Sequence, residues 1–347
     1  MIKSGLRKNM IMAATVVVVL FLASLAVRAY NMHRFHVEKQ TRFMMDTFVT
    51  IYVVGPPRIG SAAIKAAFER MQEVADKFNH LDPKGPIYAF NHYGSPITDP
   101  EILLVARNAL AISQMTDGAF DITVEPLIDL WGFYGDKPAL PDASAIKACL
   151  QKTGYRHLSI GNGILVKDDA AIRIDLGGIA KGYSVSRAKA VLKERGITSA
   201  LIDAGGDVFA LGKRGQELWK VGIRSPRGND ILGFMEVENL AVMGSGDYER
   251  FFMHNGKKYH HIFDPRTGYP AEGISGTTLL HADPMLADAW NTALFVLGPE
   301  KGRALVEKIP GMEAVMITDT GNVMYTSGLT NALKINSETN IAIARKK

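Results

Sequence analysis

Three groups of residues in this chain have types and spacings that could do chemistry. Asp288 and Thr292 lie four apart in a segment of helical periodicity, so they share a face one turn apart. A carboxylate and a hydroxyl so placed can give two oxygen ligands to Mg²⁺, which takes few protein ligands and leaves room for phosphate oxygens. The alternative is a threonine satisfied by its own helix and an aspartate in solvent. The second group is Asp175-Leu176-Gly177-Gly178-Ile179-Ala180-Lys181-Gly182-Tyr183. An alternating apolar run (Ile172, Ile174, Leu176) reads as a strand before it, and a helical pattern through Tyr183, Val185, Ala188 and Leu192 follows, closed by Gly196. A strand-to-helix turn points unpaired N–H groups outward at the positive end of the helix dipole, which suits a phosphate. Lys181, expected in the first helical turn, fits there if an anion offsets it; a tight connection with glycines for packing is the alternative. The third group is a hairpin. Tyr248–His254 and Lys257–Phe263 flank Asn255-Gly256, so His254 pairs with Lys257, Phe252 with Tyr259 and Arg250 with His261. His260 and His261 then face opposite sides, and only one can serve a given site. A neutral imidazole there could accept a proton; a polar residue on a solvated face is the plainer reading.

The elements that must position these groups follow from periodicity and punctuation. Phe43–Val54 alternates as one strand, and Ser61 is placed to cap a long amphipathic helix reaching Phe78. The segment 80–96, which contains Phe90-Asn91-His92, reads as an irregular loop. Asp99-Pro100 opens a helix to about Met115, and Asp142 caps a shorter one to Leu150. A hairpin is expected around Asn162-Gly163, and a second glycine turn at Ile202-Asp203-Ala204-Gly205-Gly206-Asp207. Strands are expected at Trp219–Arg224, Phe234–Val237 and Ala314–Thr318, the last followed by a hairpin over Thr320-Gly321. The helix carrying Asp288 starts at Asp283-Pro284 and stops at Gly298-Pro299, and another runs to about Ile309. The fold class is α+β, with mixed, mostly antiparallel sheets and helices packed on them.

The net charge of +5 is local: residues 1–40 hold six Lys/Arg and one acid, Glu38, and the rest of the chain balances. A nucleic-acid footprint on the folded part is therefore unsupported. Lys3, Arg7 and Lys8 precede an uncharged apolar run from Met10 to Val27, the pattern of a signal or anchor segment over residues 1–30. The reading favours an uncleaved inner-membrane anchor with the body facing the periplasm; export to the periplasm after cleavage near Ala29 is the alternative. Residues 31–42 read as a tether and 43–347 as the catalytic domain. Cys149 is the only cysteine, so there is no intrachain disulfide, and no cysteine follows the export signal to carry a lipid.

In order along the chain, these motifs resemble the ApbE family, the FAD:protein FMN transferases. The resemblance rests on Gly118-Ala119-Phe120-Asp121 with Thr123-Val124, on Leu130-Trp131-Gly132-Phe133 and on the two glycine turns. It continues through Ser245-Gly246-Asp247-Tyr248-Glu249-Arg250, His261-Ile262-Phe263-Asp264-Pro265-Arg266-Thr267-Gly268 and Ala287-Asp288-Ala289-Trp290-Asn291-Thr292-Ala293. It implies a T-fold-like architecture and Mg²⁺-dependent transfer of FMN from FAD to a Thr or Ser hydroxyl, releasing AMP. By resemblance Met45, Asn91, Ala119, Phe120, Asp121, Asp175, Lys181 and Ile262 contact FAD. Gly178 (through its carbonyl), Asp288 and Thr292 hold the metal, and His261 is the base, with Asp264 a candidate to orient it. Implied targets are membrane respiratory subunits of the Na⁺-pumping quinone reductase or Rnf type. Two departures stand out: Gly244 where the family commonly has Thr, and Asp46 where it commonly has Gly. Ser275-Gly276-Thr277-Thr278 loosely resembles a flavinylation acceptor and is read as structure. A Mg²⁺-dependent FAD pyrophosphatase and a non-catalytic FAD-binding protein are the competing readings.

Overall fold

A computed structural model describes residues 12, 15–24, 36–228 and 230–335 of the chain. Residues 15–24 are helical (α1). Apart from Met12, the rest of the expected anchor, 10–27, lies outside the described residues, and among those described no helix is long and apolar enough to cross a membrane. In order there follow β1 (Val37–Met44), β2 (Thr47–Val54), α2 (Pro57–Phe78), α3 (Pro86–Tyr93), α4 (Pro100–Met115), α5 (Glu125–Leu130) and α6 (Ala143–Leu150). Next come β3 (Leu158–Gly161), β4 (Ile164–Lys167), α7 (Gly177–Glu194), β5 (Ala200–Ala204), β6 (Asp207–Leu211), β7 (Trp219–Arg224), β8 (Ile231–Val237) and β9 (Leu240–Gly246). The hairpin strands β10 (Phe251–His254) and β11 (Lys257–His260) precede β12 (Phe263–Asp264), β13 (Tyr269–Pro270) and β14 (Ile274–His281). The chain closes with α8 (Pro284–Leu297), α9 (Pro299–Val306), β15 (Glu313–Thr318), β16 (Val323–Tyr325) and β17 (Lys334–Ile335).

Eight strands form one sheet in the order β1-β2-β5-β6-β9-β14-β15-β16, every pairing antiparallel. Both faces are covered, which is why β6 and β14 are buried along nearly their whole length rather than alternating. One face meets α2, α7 and α8 in the main core, through residues such as Val49, Ile51, Phe68, Ile179 and Leu294. The other face meets the three-stranded sheet β17-β8-β7, whose Trp219, Val221 and Ile223 alternate inward against Val208, Val242 and Val315. The α+β expectation holds, as three layers. A satellite cluster of Trp131, Phe133, Ile146 and Phe263 mounts the β10–β11 hairpin on the body. Phe252 and Tyr259, stacked on each other at 5.4 Å, pack against it, and Trp131 Nε1 donates to the Gly268 carbonyl at 3.0 Å. Trp131 and Phe133 are thus a mounting for the hairpin.

Several local expectations need correction. Phe43–Val54 is two strands: Met45 (φ 51°) and Asp46 (φ 58°) make a two-residue turn between Met44 and Thr47. That turn requires left-handed backbone at both positions, which alternation in the sequence does not reveal. Residues 37–42, expected as part of a tether, are in β1 at the sheet edge. The long helix begins at Pro57, before Ser61, with proline supplying the start. The segment 80–96 contains α3. The hairpin at Asn162-Gly163 is present and the register at Asn255-Gly256 is as expected, with positive φ at all four residues.

Candidate active site

The site begins where α7 crosses α8. A Cβ at Gly182 would lie 2.3 Å from the Pro284 carbonyl oxygen and 2.6 Å from Asp288 Cβ, so only glycine lets the helices touch. The contact brings the Gly182 N–H to Asp288 Oδ2 at 2.7 Å. In a regular helix that N–H serves the carbonyl four residues back, here Gly178. Shared with Asp288, it leaves the Gly178 oxygen with acceptor capacity. Gly178 itself lies against Phe120 and Thr292: a Cβ there would be 3.2 Å from Phe120 Cε2 and 3.7 Å from Thr292 Oγ1. Gly178, Asp288, Thr292 and Phe120 therefore converge. Asp288 is buried, and burial first, then the charge of Asp207, pushes its carboxyl pKa well above the usual range, against Lys181 and the Gly182 N–H. Two buried carboxylates beside one ammonium leave unbalanced negative charge. A carboxylate, a hydroxyl and a backbone carbonyl are hard oxygen donors, and this set fits Mg²⁺. Among the described residues no group of three or more His, Cys, Asp or Glu could hold a metal, so a cation here depends on Thr292, Gly178 and outside oxygens.

The approach to α7 differs from the expected strand. Ile172, Ile174 and Leu176 are fully buried, yet among the described residues no strand pairs with 172–176, whose one backbone bond to another segment runs from Asp175 N to the Ile122 carbonyl at 2.8 Å. Side chains replace the missing neighbour. Asn91 Oδ1 accepts from Ile174 N (2.8 Å), its Nδ2 donates to Ile174 O (2.9 Å), and Lys167 Nζ donates to Ile172 O (2.6 Å). The helix starts at Gly177, so the glycines form its first turn and Lys181 lies in the second. Asp175 holds that start: Oδ1 accepts from Gly177 N at 2.7 Å and Oδ2 from the Tyr134 hydroxyl at 2.6 Å. Asp121 accepts from Thr123 N and Oγ1 and from Tyr155 N. Asn91, Asp121 and Asp175 thus have their polar atoms taken up by neighbours and shape the walls. Ala119 and Ile262 are buried; Ile262 N donates to His260 Nδ1 and its carbonyl accepts from Ala271 N. Met45 sits on the β1–β2 turn, whose Thr47 packs against Gly205 in the second glycine turn.

Lys181 ion-pairs with Asp207, a residue to which sequence reasoning gave no role although it ends the second glycine turn. Burial opposes the Lys181 charge, but Asp207 and Asp288 outweigh it and raise the pKa, so the ammonium stays protonated.

The two histidines divide as their alternation demands. His260 is buried with both nitrogens occupied: Nε2 lies 2.9 Å from the Ala271 carbonyl and Nδ1 accepts from Ile262 N at 3.3 Å. His261 is half-buried, and its Nδ1 lies 3.2 Å from the Arg250 carbonyl. A carbonyl only accepts, so Nδ1 carries the proton and Nε2 presents a lone pair. Burial first, with His260, Arg250 and Lys181 adding to it, brings the pKa down to about 4, so the ring is neutral at working pH. Asp264 does not orient it: its carboxylate is engaged by Arg266 Nε and Nη2 at 2.7 and 2.8 Å.

The model of the ApbE family matches residues 45–316. The FAD:protein FMN transferase of Treponema pallidum is 31% identical over 309 residues, 83% of this chain and 85% of that protein. A Klebsiella pneumoniae FAD:protein FMN transferase is 30% identical over 81% of this chain and 84% of its own length. Among solved structures, the ApbE protein of Thermotoga maritima superposes with a TM-score of 0.78 at 33% identity, covering 85% of this chain and 98% of that one. The flavin transferase ApbE of Vibrio cholerae gives 0.77 at 28% identity, covering 86% and 100%.

Proposed function

This chain belongs to the ApbE family, and from that premise we propose that it transfers FMN from FAD to a Thr or Ser hydroxyl of a target flavoprotein. The observation that carries the reading is the 3.2 Å contact of His261 Nδ1 with the Arg250 carbonyl, which assigns the proton to Nδ1 and leaves the Nε2 lone pair to accept. The acceptor oxygen attacks the FMN-side phosphorus of the FAD pyrophosphate, and its proton passes to His261 Nε2. The bond from that phosphorus to the bridging oxygen breaks, and AMP leaves. Such transfer asks the protein mainly for in-line positioning and charge neutralisation. Lys181 supplies positive charge beside the phosphates, and Asp175 with Asn91 fixes the start of α7. Gly178, Asp288 and Thr292 would hold Mg²⁺. When bound, the ion would neutralise pyrophosphate oxygens and improve AMP as a leaving group.

The test is incubation with FAD, Mg²⁺ and a periplasm-facing flavoprotein subunit of the Na⁺-pumping quinone reductase or Rnf type. Covalently fluorescent target together with AMP supports transfer. Free FMN and AMP without labelled protein identify a pyrophosphatase, and no AMP identifies a binding protein. Residues 10–27 are proposed to tether the body to the inner membrane on the periplasmic side. Release of the full-length protein into the soluble fraction on osmotic shock refutes the tether.

A further inference from the structure

We propose that Asp207 is the positioning residue for Lys181, a role that rests on the flavin-transfer reading. Asp207 is only 2% exposed, and each carboxylate oxygen has one defined task. Oδ1 accepts the Gly244 N–H at 2.7 Å, and Oδ2 meets Lys181 Nζ. The β6–β9 pairing starts only at Val208–Val242, so at this end the Asp207 side chain takes the place of a ladder bond. One carboxylate thereby joins β6, β9 and α7.

The second glycine turn is built to deliver it. A Cβ at Gly205 would lie 2.1 Å from Thr47 Oγ1, and Gly206 has φ +97°, so neither position tolerates a side chain. The double glycine reverses the chain within two residues and leaves Asp207 at the first position of β6, directed inward. Gly244 supports the same assignment from β9. It sits in an interior strand, has ordinary φ, and a Cβ there would meet nothing within 4 Å. Packing does not require glycine at 244; what the position contributes to this network is its backbone donor, independent of side chain.

Lys181 needs such a partner. Its four-carbon stem is flexible, and an ammonium taken out of water is costly unless paired. Held by Asp207 beside Asp288, it is aimed at one place, where the phosphates of a dinucleotide would lie. Asp207 acts through the lysine and does not touch substrate.

Asp207→Asn separates aim from architecture. The Gly244 donor requires the amide oxygen, so the NH₂ faces Lys181 and the ion pair is lost while the backbone tie remains. The experiment is a double-mutant cycle of Asp207→Asn and Lys181→Met, read as the Kd for FAD by fluorescence quenching and as kcat for transfer. Each single variant is expected to weaken FAD binding about 10-fold or more, and the double variant to be no worse than the poorer single. The Tm of Asp207→Asn should stay within a few degrees of wild type. A double variant whose Kd is the product of the two single effects overturns the proposal, as does a loss in Asp207→Asn explained by unfolding at assay temperature. The Kd cycle reads FAD alone, so it stands apart from the transfer reading: an enzyme that only hydrolyses FAD refutes that reading and leaves the cycle informative.

Discussion

His261→Ala tests the proton acceptor directly. Three neighbouring groups, His260, Asp264 and Lys181, are poor replacements. His260 has both nitrogens engaged, and Asp264 is held by Arg266. Lys181, charged and paired with Asp207, has no lone pair to offer. Removing a positioned general base costs about 10²–10⁴-fold, or roughly 3–5 kcal/mol of barrier at 1.36 kcal/mol per tenfold. If Nε2 takes the proton of the acceptor hydroxyl as proposed, the loss should fall on kcat, with the Kd for FAD changed little. His260→Ala is the matched control. It removes two buried hydrogen bonds and leaves the Ala271 carbonyl without its donor, so it should cost about 2–4 kcal/mol of stability, read as a lower Tm. A pH profile adds an independent reading. With His261 brought down to about 4, the part of the kcat profile that belongs to this ring, read at saturating Mg²⁺ so that Asp288 stays ionised, should fall only below about pH 5. The unfolded chain takes up this proton near the ordinary 6.5 while the folded chain refuses it until about 4. Stability linked to this ring is therefore full above 6.5 and lost as pH falls through about 4. The assay is covalent flavin fluorescence in a denaturing gel with AMP measured in parallel. If His261→Ala keeps kcat within about threefold of wild type while folded His260→Ala is inactive, the assignment of the base is wrong.

Three further outcomes follow from the same geometry. Asp288→Ala should raise the Mg²⁺ concentration needed for half-maximal AMP release by at least about 10-fold, as loss of a charged metal ligand does; an unchanged Mg²⁺ titration excludes Asp288 as a ligand. Gly182→Ala puts a Cβ within 3 Å of backbone and of Asp288, so α7 and α8 must separate, at a cost of about 1–3 kcal/mol by chemical denaturation, with activity lost. A Gly182→Ala protein of full stability and activity would show that the helices do not depend on this contact. Asp46→Gly relieves left-handed backbone at φ 58° and should stabilise by up to about 1 kcal/mol without changing the Kd for FAD. Weaker FAD binding in that variant would give Asp46 a direct part in the site.

What was legible in the sequence follows from what is local. The Asn-Gly turns located two hairpins, and Asn255-Gly256 set the register of the second and with it the opposite facing of His260 and His261, because a two-residue turn and a period of two leave no freedom. Asp283-Pro284 and Gly298 bounded α8 for the same reason: caps act within one turn. The misreadings occur where a distant group supplied what local pattern normally supplies. Residues 172–176 alternate like a strand, but their partners are Asn91 and Lys167, remote in sequence. Met45-Asp46 breaks a strand through backbone conformation alone, without the glycine that would have announced it.

Asp207 belongs to the second kind, and it changes how the two glycine turns relate. The first was expected to be the phosphate site and the second had no assigned task. In the fold, the first turn provides the helix start, the Gly178 oxygen and the Gly182 contact, while its lysine points away from that start towards the second turn. Neither turn is a site alone. The first places a cation that the second must hold, and α8 contributes the carboxylate that makes the pair unbalanced. A divalent cation between substrate phosphates and Asp288 would correct that imbalance, and the metal, the lysine and the buried acids would then form one electrostatic unit rather than three independent contacts. Mutations within it should therefore be non-additive, and because the Lys181 charge also helps hold the His261 pKa down, Lys181 and His261 variants should be coupled as well.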